Sequence, residues 1–310
     1  MVARVIEVFP VANEAEERLS LAIYNAVWPH DSVTLDEVHS FKRAMVECLD
    51  LLARLDGEPA GSAVAAIQPQ RRDLVYVLST VSFEDRRRGV GTMLYEAASR
   101  WARERGLDRI EVPVLDNDPE SLAFAQKRGF VEERREKGVV LDLAAVEPPP
   151  VEPPEGIEIA TWAERPEAAR GMYAVACEAY PDVPGFEEDD VEPFEDWLAH
   201  DMQGGPGDRP DATFVAVAGD EVVGYAKFSI TAARPTSAAH DLTAVKRAWR
   251  GRGIARALKA TQIGWAKANG FEQLQTRNDE RNAPIRRLNA EFGYRPGIGR
   301  IHLQGPVAAA

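Results

Sequence analysis

Apolar positions along the chain follow two rhythms, one of period two and one of about 3.6, and the two alternate in a fixed order. The run Val5 to Phe9 predicts a strand, and helical spacing follows over Ala15–Trp28 and Leu35–Leu49. Leu51–Leu55 and Gly61–Ile67 flank Asp56-Gly57-Glu58-Pro59, which predicts a β-hairpin. A strand, a glycine-containing loop, a long helix, a strand, a shorter helix and the pair Gly129-Phe130 complete the series. The series then starts again. Ile157–Ala160 predicts a strand, Glu167–Tyr180 and Pro193–Met202 predict helices, and Thr213–Ala218 with Val222–Ile230 predicts a hairpin around Gly219-Asp220. Strand, glycine loop, long helix, strand and shorter helix recur, ending at Gly293-Tyr294.

Between the two series, five of the seven residues from 148 to 154 are proline. Such a stretch sustains neither a helix nor a central strand and favours an extended spacer. The expected organisation is therefore a domain over residues 1–146, a Pro-rich linker over 147–155 and a second domain over 156–310. A single shift of 164 residues takes Arg86 to Arg250, Arg88 to Arg252, Gly89 to Gly253, Trp101 to Trp265, Gly106 to Gly270 and Gly129 to Gly293. The register holds from Arg86 to Phe130 without a gap, which marks a duplication.

Each half carries a strand that ends in a glycine turn opening a helix: Arg86-Arg87-Arg88-Gly89-Val90-Gly91, and Arg250-Gly251-Arg252-Gly253-Ile254-Ala255. The first N–H groups of a helix have no intrahelical acceptor, and the helix dipole favours negative charge there. Glycine lets an anion approach the backbone, and arginine adds charge-assisted donors. Neither loop has the Gly-Lys-Ser/Thr of a nucleotide-binding P-loop. Each also lies midway through its half, where a dinucleotide fold would place its loop after the first strand.

An Arg-x-x-Gly-x-Gly/Ala turn after a strand, with a Gly-aromatic pair about 40 residues on, resembles the GNAT superfamily of acyl-CoA-dependent N-acyltransferases. The tandem arrangement is similar to that of the two-domain members, mycothiol synthase among them. The resemblance implies an α+β fold, a mixed and mostly antiparallel sheet flanked by helices, present twice in tandem. It implies acetyl-CoA as cosubstrate, with the pantetheine arm between two splayed strands. Backbone amides of Gly251 to Ala255 would hold the pyrophosphate and Val245 would meet the pantetheine amides, with Arg86 to Gly91 and Val81 in those positions in the first half.

The implied reaction is transfer of an acyl group to a primary amine, with no metal. The departing thiolate needs a proton, which many members take from a Tyr four residues before the Gly-aromatic. That position is Ala125 in the first half and Asn289 in the second, and neither is an acid. The second half still offers more polar chemistry. Thr276, Asn278, Asn282 and Asn289 resemble an asparagine-rich variant of the family. Asn282 suits either a helix cap or the cofactor, and Asn289 lies in a helix interior, where Asn is a modest helix former. His240 and Asp241, on the strand before the loop, are the candidate bases, though Asp241 could equally close a strand-end hydrogen bond; the first half has Tyr76 and Val77 there. The second domain is therefore expected to be catalytic and the first to bind CoA, play a structural part or act by a different route. The alternative is a catalytically silent acyl-CoA-binding or sensing protein.

Charge narrows the partners. With 50 acidic and 37 basic side chains the net charge is −13, which disfavours nucleic acid and favours a cationic amine acceptor. The acidic segment Gly185 to Trp197, rich in Glu and Asp with aromatics between them, suits such an acceptor or simply forms a solvated loop. No apolar run reaches the roughly 18–20 residues of a membrane span. Nothing at Met1 to Pro10 reads as a secretory signal, and a cytoplasmic protein is expected. The cysteines, Cys48 and Cys177, fall in helix-like stretches far apart and predict neither a disulfide nor a zinc site.

Overall fold

The computed structural model describes residues 4–183, 192–203, 205 and 207–309. The first half runs β1 (Ile6–Pro10), α1 (Glu14–Val27), α2 (Leu35–Ala44), β2 (Glu47–Leu55), β3 (Glu58–Gln68), β4 (Arg71–Val81), α3 (Val90–Glu104), β5 (Arg109–Leu115), α4 (Pro119–Gln126) and β6 (Val131–Asp142). The second runs β7 (Ile157–Thr161), α5 (Ala169–Ala179), the single turn α6 (Phe194–Trp197), β8 (Thr213–Ala218), β9 (Glu221–Ile230), β10 (Ser237–Val245), α7 (Ile254–Ala268), β11 (Gln273–Asp279), α8 (Ala283–Glu291) and β12 (Arg295–Pro306). The fold is α+β, with two copies of one mostly antiparallel, helix-flanked arrangement.

The chain divides into two compact units, residues 1–135 with 300–310, and residues 136–299. In the first the strand order is β1-β2-β3-β4-β5-β12, antiparallel except for β4 with β5. In the second it is β6-β11-β10-β9-β8-β7, antiparallel except for β10 with β11. Each sheet is therefore closed by the strand that follows the other half's Gly-aromatic pair. Strand β12, after Gly293-Tyr294, pairs with β5 from Arg300↔Leu115 to Pro306↔Arg109. Strand β6, after Gly129-Phe130, pairs with β11 from Glu136↔Asp279 to Asp142↔Gln273. The Pro-rich residues 147–155 carry no helix or strand and lie in the second unit.

Two local expectations are corrected. The helix expected over Leu35–Leu49 begins with a capping box, Thr34 with Glu37, and ends at Ala44, after which the chain extends. From Glu47 it is strand β2, because Leu49, Leu51 and Ala53 reach the core at a spacing of two. Cys48 consequently lies on a strand, half-buried, and burial raises its thiol pKa to about 11. Pro193–Met202, expected as a helix, is the four-residue α6 followed by a π-turn over Leu198–Met202.

In the first unit α3 covers one sheet face with Val90, Leu94, Ala98, Trp101 and Ala102. In the second, α7 covers the corresponding face and α5 with α6 covers the other. Among the described residues no helix is long and apolar enough to cross a membrane.

Because residues 300–306 complete the first unit's sheet, truncation after Gly299 should damage that unit before the second. Hydrogen exchange read segment by segment checks this: amides of β5 should lose protection while those of β8 and β9 keep it.

Candidate functional site

Both glycine loops are built alike. Strand β4 ends at Val81, a 3-10 turn spans Phe83–Asp85, and α3 starts at Val90 behind Gly89 at φ 101°. Strand β10 ends at Val245, a 3-10 turn spans Arg247–Trp249, and α7 starts at Ile254 behind Gly253 at φ 91°. One residue after the leading arginine the backbone is left-handed in both, at Gly251 (φ 74°) and at Arg87 (φ 62°), where a side chain bears strain that glycine avoids. Neither helix has a side-chain cap. The first-turn amides are thus presented to a ligand.

The arginines around the loops differ. Arg86 is tied down: Asp118, which caps α4, accepts from both terminal nitrogens at 3.2 and 2.9 Å. Burial opposes charge on Asp118, yet the Ser121 N–H and Arg86 hold its pKa below the usual value. Arg88 pairs with Asp85. In the second loop Arg250 donates to the Val245 carbonyl at 2.9 Å and pairs with Asp182 at 2.6 Å. Hydrogen bonds from Arg247 and Arg250 lower the Asp182 pKa to about 2. Arg252 donates to the Ala248 carbonyl and lies over the Trp249 ring.

The parallel pair β4–β5 is registered only at Val75↔Ile110 and Tyr76↔Glu111, and the strands then part. A cleft of about 390 Å³ opens there, lined among others by Val81, Arg87, Gly91, Tyr95, Val112 and Ala125. That volume is in the range of small-molecule sites. The shift of 164 residues carries these six onto Val245, Gly251, Ala255, Lys259, Thr276 and Asn289. It carries two more lining residues, Val114 and Phe130, onto Asn278 and Tyr294. At Val112, Val114 and Ala125 the first cleft is lined by apolar side chains where the second unit carries Thr276, Asn278 and Asn289.

Lys259, Thr276, Asn289 and Tyr294 are buried, as is His240. His240 is 7% exposed; its Nδ1 is 3.0 Å from Gln262 Oε1 and its Nε2 is 2.5 Å from the Tyr294 hydroxyl. Burial, and then Lys259, push its pKa well below the usual value, so the ring is neutral. With both nitrogens engaged, His240 acts on its neighbours rather than on solvent. Asn289 donates from Nδ2 to Asn278 Oδ1 at 2.7 Å, while its own Oδ1 is buried without a partner, as is Gln262 Nε2. Asn282 occupies the N-cap position of α8 but its side chain makes no capping bond. Lys259 is 1% exposed.

Asp241 points elsewhere. It pairs at 3.0 Å with Lys227 of β9, which also meets Asp208 at 3.2 Å and the Asp201 backbone carbonyl. Burial alone would lower the Lys227 pKa, but Asp241, Asp201 and Asp208 hold it above the ordinary lysine value. Burial raises the Asp201 pKa. Beside this cluster the hydroxyl of Tyr225 and the indole N–H of Trp197 are buried without hydrogen-bond partners. Residues Glu187 to Asp190 of the acidic segment lie outside the described residues.

Sequence reasoning passed over Lys227, Asp201 and Asp208, which show no common spacing pattern and meet only when β9 is in place. It also passed over Lys259, whose signal was present: Lys259, Gln262, Ile263 and Ala266 form one buried helical stripe. In the first unit it missed Glu111 and His302, 3.1 Å apart and both buried, which meet because β12 pairs with β5. Burial opposes charge on Glu111, but His302, Arg134 and Gln304 hold its pKa below the usual range.

The Acetyltransferase (GNAT) family model matches the chain twice, over residues 14–130 and 169–294. Among solved structures the chain is similar to a GCN5-related N-acetyltransferase from Sphaerobacter thermophilus, at 20% identity and TM-score 0.74, covering 98% of this chain and 96% of that one. It is similar to a tandem GNAT protein from the clavulanic acid biosynthesis pathway, at 20% identity and TM-score 0.76, covering 99% and 100%. A glucosamine N-acetyltransferase region in a fungal multi-domain β-N-acetylglucosaminidase matches at 18% identity and TM-score 0.72, covering 98% of this chain and 38% of that one. These likenesses are of fold. Sequence comparison finds no relative among curated proteins.

Two stability measurements check the buried charges. Lys227→Met strands the carboxylates around it and should cost about 3 kcal/mol in chemical denaturation. Burial lowers the Lys259 pKa to about 7, whereas the unfolded chain keeps that proton to roughly pH 10.4. The resulting penalty is complete below the folded pKa and fades as pH rises toward the unfolded one. Lys259→Met should therefore melt above the parent at about pH 6, with the gap narrowing by about pH 9.

Proposed function

The chain belongs to the GNAT acetyltransferase family, and on that premise we propose that its second unit transfers an acetyl group from acetyl-CoA to a primary, cationic amine. The observation that carries this reading is that Val112, Val114 and Ala125 of the first cleft's lining are replaced, at one offset, by Thr276, Asn278 and Asn289 in the second unit. Bound acetyl-CoA would supply an activated thioester. Two features suit it: uncapped helix N-termini behind the glycine turns, and the unpartnered Asn289 Oδ1. Amides of Gly251 to Ala255 hold the pyrophosphate, and Val245 meets the pantetheine arm. The cleft of the first unit, with Arg87 and Gly91 on its wall, holds a second CoA moiety by the same contacts.

The amine must approach the splay from the α5–α6 side, because α7 covers the other face. On that side Asp201, Asp208 and Asp241 surround the single Lys227, and the surplus negative charge favours an ammonium. Asp241 is 43% exposed at the side chain and sits next to His240 on β10, which makes it the proton acceptor that renders the amine nucleophilic, directly or through water. His240, bonded to Gln262 and Tyr294, fixes the strand from behind.

Disrupting the loops one at a time tests the assignment. Gly253→Asp should reduce acetyl transfer from acetyl-CoA at least about a hundredfold. The corresponding Gly89→Asp should leave a substantial fraction. Loss of transfer from the Gly89 change alone would reverse the roles of the units. Asp241→Asn should lower kcat about a hundredfold or more with little change in fold stability. An amine panel graded by charge should show monocations and dications accepted over neutral amines.

A further inference from the structure

A buried lysine with no anion beside it is an expensive feature, since burying an isolated ammonium carries a large desolvation cost. Lys259 is such a residue: 1% exposed, on the sheet side of α7, and with no carboxylate paired to it among the described residues. Its Nζ lies 5.2 Å from the centre of the Tyr294 ring. The titratable groups that face it are His240 of β10 and Tyr294, just ahead of β12, and they are hydrogen-bonded to each other and uncharged. Gln262, bonded to His240, has a buried and unsatisfied Nε2, and Asn289 of α8 has a buried and unsatisfied Oδ1. The repeat gives the equivalent positions in the first unit. Lys259 stands at the position of Tyr95, which lines the cleft of the first unit, and Asn289 at that of Ala125, which lines it too.

We infer that Lys259 is the acid of the second unit, giving its proton to the sulfur that departs from the acyl group. This rests on the reading that the second unit carries the transfer. The amine nitrogen forms a bond to the acyl carbon, and the carbonyl pair moves to oxygen. When that pair returns, the carbon–sulfur bond breaks and the sulfur keeps its electrons. Lys259 Nζ–H passes a proton to the sulfur, giving the free thiol, and the neutral lysine regains one from solvent. The proton lost by the attacking nitrogen goes to Asp241 or water. Burial sets the Lys259 pKa at about 7, so the group is partly protonated near neutrality and acidic enough to give the proton up. Asn289 has no acidic proton, and the Tyr294 hydroxyl is committed to His240 at 2.5 Å while burial raises its pKa.

The test compares Lys259→Met and Lys259→Gln with the parent on two donors, acetyl-CoA and its selenoester analogue, using hydroxylamine as the surrogate acceptor. A selenolate leaves without a proton. The variants should lose about a hundredfold or more in kcat with the thioester and under about tenfold with the selenoester. A second readout is the pH profile. In the parent, kcat with the thioester should fall as pH rises through about 7, where Lys259 loses its proton, and that alkaline limb should be absent from both variants. Equal losses on both donors, an unchanged thioester rate, or an alkaline limb that persists in the variants would each overturn the assignment. Gly253→Asp separates the two levels. If it silences transfer while the Lys259 variants treat both donors alike, only the lysine's role falls. If Gly253→Asp leaves transfer intact, the second unit is not the transferring one and both fall.

Discussion

In each unit two parallel strands hydrogen-bond for two or three residues and then separate, and the rest of the architecture answers to that separation. Parted strands leave unpaired backbone groups and a gap in the sheet, which is tolerable only if something fills it. The strand before the gap runs straight into a glycine turn and a long helix, so the helix N-terminus stands at the mouth of the opening. Close packing beneath the turn is required as well. A Cβ at Gly224 would come within 2.8 Å of the Ala244 carbonyl oxygen, and one at Gly61 within 2.9 Å of the Thr80 carbonyl oxygen. A helix N-terminus without a side-chain cap and an open cleft are therefore two results of one backbone event.

The two copies of this device have diverged in their lining more than in their frame. Tyr95, Val112, Val114, Ala125 and Phe130 became, or derive in common with, Lys259, Thr276, Asn278, Asn289 and Tyr294. An apolar wall can hold a ligand by burial alone. A polar wall in the same place must satisfy its own hydrogen bonds, and the second unit does so only in part. Partial satisfaction is costly for a scaffold and useful for a site that forms its last bonds with a substrate. On the other sheet face the same unit gathers three carboxylates around one lysine, so its two faces carry distinct electrostatics.

Much of the fold was legible because its signals are local. Hairpins around Asp56-Gly57 and Gly219-Asp220, the helix starts behind Gly89 and Gly253, and the repeat itself are written in consecutive residues. The site was legible where it is backbone, in the loops. It was less so where it is side chains meeting across the sheet. His240 and Asp241 read as a pair of candidate bases, but adjacent residues on a strand face opposite ways, and one became core while the other became surface. Lys259 was hidden by the habit of reading lysine as solvated, although its place on an apolar stripe spoke against that. Glu111 and His302 could not have been joined from sequence, since 191 residues separate them and a strand pairing brings them together.

That pairing has a consequence for synthesis. A nascent chain emerges from its amino end, and an ordinary amino-terminal domain can finish folding while the rest is being made. Here the first unit includes residues 300–310, which are made after the whole of the second unit. Its sheet stays one strand short, with the edge of β5 open, until those residues emerge. An open edge is a template for pairing with other chains. The charged and proline residues along β5 and its neighbourhood, Arg109, Glu111 and Pro113 among them, stand on that edge. In the finished protein they face a partner strand, and during synthesis they would be what keeps the waiting edge from pairing with a stranger.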